Sequence, residues 1–98
     1  MNEEDFEKLR QQLQVSTTQK QTLQLQYNET KHTLEEVDKV PEGEKLYELV
    51  GQILMSKDKK EIAESLRDRI QILEIRLKSI DKTIDSLTAQ IQEMQNKG

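Results

Sequence analysis

The chain has no cysteine, a single proline and only 3% aromatic residues, and each scarcity removes a class of protein. Without cysteine there is no disulfide framework and no cysteine-based zinc site, so a reducing compartment is the expected home. No apolar run approaches the roughly 18 residues of a membrane span, and the acidic start Asn2, Glu3, Glu4, Asp5 is unlike a signal peptide. A cytoplasmic location without membrane association is therefore expected. The net charge is −4, with basic residues interleaved among acids instead of gathered on one face, which disfavours counterion-driven binding to nucleic acid. Histidine occurs once, at His32, off any apolar stripe. Carboxylate pairs such as Glu35 with Glu36 and Asp81 with Asp85 fall on open helix surface, with no cleft to desolvate them. No glycine-rich phosphate loop or nucleophile motif is present. The reading is a non-enzyme with no catalytic residue, cofactor or metal.

What the chain does have is periodicity. Phe6, Leu9, Leu13, Ser16, Lys20, Leu23, Tyr27, Thr30, Leu34 and Val37 advance by three and four residues alternately, a heptad seam with polar breaks at Ser16, Lys20 and Thr30. Ala63, Leu66, Ile70, Leu73, Leu77, Ile80, Ile84, Leu87, Ile91 and Met94 repeat the alternation unbroken. The two superpose only when one is reversed, so that Val37 meets Ala63, Tyr27 meets Leu73, Leu13 meets Leu87 and Phe6 meets Met94. That is the pairing of an antiparallel coiled coil. At 98 residues, 35% of them charged, a chain drawn out into two helices encloses no globular core and needs partners.

The first helix is expected over residues 3–37, about 50 Å at 1.5 Å per residue. Glutamines from Gln11 to Gln26 fall mostly outside its seam. Pro41 and Gly43 then end it. Residues 45–55 carry two runs of β-formers around Gly51 and read as a β-hairpin with its turn at Val50-Gly51, a third short helix being the alternative. Asp58 followed by Glu61 has capping-box spacing, placing a second helix over residues 58–95, about 55 Å long. Both helix ends then finish together. Lys57, Lys59 and Lys60 form the one dense basic spot, read as a solvated helix start with a contact site as the alternative.

Three apolar sets are left without an obvious cover. Leu46, Tyr47, Leu49, Val50, Ile53, Leu54 and Met55 offer more apolar surface than one bend can hide, which points to β-augmentation or a shared sheet; the alternative folds the hairpin onto its own helices. Ile62, Ile72 and Ile75 lie off the seam, covered by a neighbouring subunit or simply exposed. At the open end, Phe6, Leu9, Ile91 and Met94 form a fraying apolar tip that either grips exposed segments of other proteins or serves only as coiled-coil core. The polar seam residues fix register, loosen the arm, or reflect relaxed demand.

Several segments carry a family resemblance. Thr33 to Asp38, the run Lys45-Leu-Tyr-Glu-Leu-Val-Gly-Gln-Ile-Leu-Met, and Lys57 to Leu77 with Leu66, Ile70-Gln-Ile-Leu-Glu and Ile75-Arg-Leu are similar to the helix-end, hairpin and second-helix signatures of prefoldin β-class subunits. Gln19-Lys-Gln-Thr-Leu followed by Asn28-Glu-Thr resembles the first helix of archaeal members. Tyr47, Val50 and Gly51 are the most specific positions. The resemblance implies one prefoldin-like domain over residues 1–98, mainly α, with two antiparallel helices joined by a hairpin that enters a shared β-barrel. It further implies an ATP-independent chaperone of two α-class and four β-class subunits that holds unfolded proteins at coiled-coil tips and passes them to a group II chaperonin. On this chain the assembly residues are Leu46, Tyr47, Leu49, Val50, Gly51, Ile53, Leu54 and Met55, and the client-binding residues Phe6, Leu9, Ile91 and Met94. Many β-class members have longer ends than this chain. The rival reading is a structural tether that dimerises through its helices.

Overall fold

Pro41, Gly43 and Gly51 interrupt the chain within one short stretch, and the residues on either side are dominated by strong helix formers such as Leu, Gln, Glu, Lys and Arg. A computed structural model describes residues 2–97. Its elements run in the order helix α1 (Glu3–Asp38), strand β1 (Leu46–Val50), strand β2 (Ile53–Lys57) and helix α2 (Lys59–Lys97). Segments of α1 and α2 run antiparallel within each of two units, as in an antiparallel coiled coil, with Lys20 against Asp81 in one and Arg67 against Asp38 in the other. The strands form a two-stranded antiparallel sheet. The chain divides into two compact units: one combines α1 up to Leu25 with α2 from Glu74, and the other is Gln26–Leu73.

Helix α1 starts on a side-chain cap. The Asn2 side-chain oxygen accepts from the backbone N–H of Asp5 at 2.9 Å, satisfying one otherwise orphaned donor, while its carbonyl accepts the first helical bond, from Phe6. Glu3, Glu4 and Asp5 follow in the first turn, where carboxylates suit the helix dipole. Asp58 occupies the equivalent place before α2, its carbonyl accepting from Ile62. The end of α1 lacks a basic residue in its last turn. Lys59, the first residue of α2, supplies one: its ammonium donates to the Asp38 carbonyl at 3.1 Å and lies 3.7 Å from Glu42, while Arg67 lies 3.7 Å from the Asp38 carboxylate. Pro41 to Glu44 then form a turn closed by the Glu44 N–H on the Pro41 carbonyl, with Gly43 at φ +87° in the third position, as a type II turn requires.

In the unit containing the hairpin, Tyr27, Leu34 and Val37 of α1 and Leu66 and Ile70 of α2 are partly buried, while Thr30, Ala63 and Leu73 are buried. Burying Thr30 costs little, because its hydroxyl donates to the Gln26 carbonyl at 2.7 Å. In the other unit the same alternation holds from Phe6 to Leu23 against Leu77 to Met94, with Ser16 and Leu87 buried. The third polar seam residue, Lys20, runs its stem along the pair and places its ammonium 2.6 Å from Asp81, with both side chains nearly half exposed. Its charge therefore stays in contact with water. Each seam position expected from the heptad pattern is covered at least in part, and among the described residues the fully buried apolar side chains are Ala63 and Leu73 in one unit and Leu87 in the other.

Candidate functional site

The hairpin differs from the expected one in position and turn. Its strands span 46–57, not 45–55, because Ser56 and Lys57 are drawn into the ladder opposite Tyr47 and Leu46. The central pair is Gly51-Gln52, not Val50-Gly51. Gly51 has φ +63° and no non-glycine residue among those described has a positive φ, which identifies a type II′ turn with glycine first. A turn one residue earlier would have forced β-branched Val50 into that conformation. The third-helix alternative and the folded-down hairpin are both set aside by the geometry.

Side chains alternate across the two faces of this sheet. Tyr47, Leu49 and Leu54 project from one face and are 59%, 66% and 67% exposed. Val50, Ile53 and Met55 project from the other, from 46% to 66% exposed. Leu46, nearest the helices, is partly buried. Glu48 and Lys57 meet diagonally across the second face at 2.8 Å. The Glu48 hydrogen bond and charge raise the Lys57 pKa above its ordinary value of about 10.5, so this pair favours the folded hairpin below that pH and is lost as pH rises through the raised value. Lys57 and Lys59 of the basic spot thus have partners within the chain.

At the open end, Phe6 and Met94 are partly buried and line a depression of about 380 Å³ together with Asn2, Glu3, Glu93, Gln95 and Lys97. Leu9 and Ile91 are also partly buried but lie along the seam, outside the lining. The Arg10 guanidinium sits 5.8 Å from the Phe6 ring centroid. Of the off-seam isoleucines, Ile62 is partly buried whereas Ile72 and Ile75 are exposed. Val15 and Leu25 are exposed too and were not among the sequence candidates; their positions outside the α1 heptad were the available signal. Among the described residues, no group of three or more His, Asp or Glu is placed to hold a metal, and no helix is long and apolar enough to cross a membrane.

Comparison with known proteins gives this arrangement a family. The family model for prefoldin subunits matches residues 1–97. The chain belongs to the prefoldin family. Prefoldin subunit beta of Thermococcus onnurineus strain NA1 is 36% identical over 92 residues, covering 94% of this chain and 79% of the relative. Prefoldin subunit beta of Pyrococcus horikoshii is 31% identical over 87 residues, covering 89% and 74%. The crystal structure of the prefoldin beta subunit from Thermococcus strain KS-1 superposes with a TM-score of 0.91 at 29% identity, covering 95% of this chain and 82% of that one. The beta2 subunit from the same strain shares the fold at 16% identity, with a TM-score of 0.81. The chain is thus a β-class prefoldin subunit, and prefoldin subunits are chaperone components, not enzymes.

Proposed function

We infer that this β-class chain is a subunit of an ATP-independent hetero-oligomeric chaperone, assembled through its hairpin and holding unfolded proteins at the open end of its helix pair. The observation that carries this reading is a hairpin with Tyr47, Leu49 and Leu54 bare on one face and Val50, Ile53 and Met55 bare on the other. Burial stabilises by about 25 cal/mol per Å², so covering these side chains is worth several kcal/mol, and unpaired strand edges supply the hydrogen bonds for further strands. Leu46 and Gly51 complete the assembly set, the glycine by allowing the turn. Two α-class and four β-class subunits joining their hairpins in a β-barrel satisfy that demand. Phe6, Leu9, Ile91 and Met94 are the client-contacting residues, and a group II chaperonin in the cytoplasm receives the client.

The first experiment is light scattering behind a sizing column on the purified chain, alone and mixed with an α-class prefoldin subunit. A shift to a six-subunit particle is expected. A dimer of constant mass, indifferent to the α-class subunit, would overturn the reading in favour of a tether. Within the assembled particle, Phe6→Ser with Ile91→Ser should abolish suppression of client aggregation at unchanged mass. Undiminished suppression would move the holding surface elsewhere.

A further inference from the structure

We propose that the open end selects client segments in which a bulky apolar side chain is flanked by lysine or arginine. The proposal rests on the open end being the holding surface and adds a charge requirement to it. Phe6 and Met94 give the depression of about 380 Å³ an apolar lining, and methionine adapts to varied side-chain shapes. Glu3 and Glu93 stand among the polar residues of that lining, and Glu4 and Asp5 share the first turn of α1 with Glu3. Two of the nearby cations are engaged within the chain, while Lys8, one helical turn after Glu4 and Asp5, forms no ion pair among the described residues. Lys97 lies 2.9 Å from Glu93, and Arg10 lies 3.4 Å from Glu7 and over the Phe6 ring. Glu3, Glu4 and Asp5 form no ion pair among the described residues, and with Lys8 counted against them the start of α1 remains net negative.

Helix dipoles do not offset that charge. The start of α1 carries about half a positive charge, but the end of α2 lies beside it around the same depression and carries about half a negative one. The two partial charges oppose each other, leaving Glu3 in the lining of the apolar seat with Glu4 and Asp5 in the same helical turn. A segment presenting an apolar side chain between basic residues complements both features, and one flanked by acids meets like charge.

The test uses the complex assembled with an α-class subunit and labelled unfolded peptides with one apolar core flanked by Lys, Ser or Glu, followed by fluorescence anisotropy. At low salt the Lys-flanked peptide should bind about fivefold tighter than the Ser-flanked one, as expected for exposed charge pairs. By about 1 M salt, where screening acts within roughly 3 Å, the difference should vanish. The triple variant E3Q/E4Q/D5N should lose the advantage while still binding the Ser-flanked peptide. Lys97→Glu leaves the start of α1 intact, frees Glu93, and should widen the advantage.

Equal affinity for Lys and Ser flanks, or an advantage that survives the triple variant, overturns the proposal. If the Phe6→Ser/Ile91→Ser variant loses all peptides while flank charge proves irrelevant, the charge requirement alone fails. If that variant loses none, the holding surface lies elsewhere and both readings fail. A particle mass that doubles with concentration, and that Lys-flanked peptide does not reverse, would mean that a second copy occupies the open end, and would also overturn the proposal.

Discussion

Leu73 and Leu49 are the same residue in opposite situations: in the helix pair Leu73 is 4% exposed, while in the hairpin Leu49 is 66% exposed. The difference follows from layers. Each long helix has one apolar stripe, and the other helix covers it, so the pair satisfies itself. A two-stranded sheet has two faces, and here apolar side chains point out of both with nothing from the same chain laid over most of them. Stable architectures stack at least two layers of secondary structure. The helix pair supplies its own second layer, and the hairpin finds none among the described residues of its own chain.

The most damaging way to break this contrast is to charge the hairpin. Leu49→Lys with Ile53→Lys places a lysine on each face and should abolish the six-subunit particle while leaving the helical circular dichroism of the isolated chain intact; a particle that survived would remove the hairpin from assembly. Next in size is Leu73→Ala, which should cost the isolated chain about 3 kcal/mol and lower its thermal midpoint. Leu49→Ala should move that midpoint by less than the equivalent of about 0.5 kcal/mol, and equal losses at the two sites would erase the contrast. Gly51→Ala meets no atom within 4 Å but puts a Cβ at φ +63°, a cost of about 1–2 kcal/mol that should weaken assembly about 5- to 30-fold in titration with the α-class subunit. The smallest effect is expected for Lys20 and Asp81: a double-mutant cycle with Lys20→Met and Asp81→Asn should give a coupling below about 1 kcal/mol that falls with salt.

Much of this was legible because a coiled coil writes its contacts at fixed intervals. From Phe6 to Val37 and from Ala63 to Met94, every residue assigned to the seam is at least partly covered, polar Ser16, Lys20 and Thr30 included. Periodicity could not show how those three are accommodated, since Thr30 uses a carbonyl of its own helix and Lys20 an acid on the facing one. The hairpin was legible from its β-formers and Gly51. Its turn was misplaced by one residue, although glycine-first pairs favour type II′ geometry and Val50 cannot take that backbone. The last strand residues, Ser56 and Lys57, carry no β signal of their own and are held by the strand opposite. Lys59 was read as part of a solvated helix start. Its role at the end of α1 depends on a contact between residues 21 apart in the chain, which no local pattern encodes. The residues assigned to assembly and client contact were recognisable by surplus apolarity, but whether Phe6 and Met94 would share a depression that Leu9 and Ile91 do not line depended on the packing of the helix ends.

The Gly51-Gln52 turn also has a temporal consequence. It joins strands separated by only two residues, so it closes the shortest loop in the molecule, and loop closure becomes costlier as the enclosed segment lengthens. Once the strands meet, Lys59 and Asp38 are close enough to join at small additional entropy. The open end lies farthest along the sequence from that first closure, and the last turns of a helix pair fray most readily. Under the proposed function, a client segment held there would leave through a local opening of a few helical turns, on a timescale set by that opening and without any cost to the hairpin sheet.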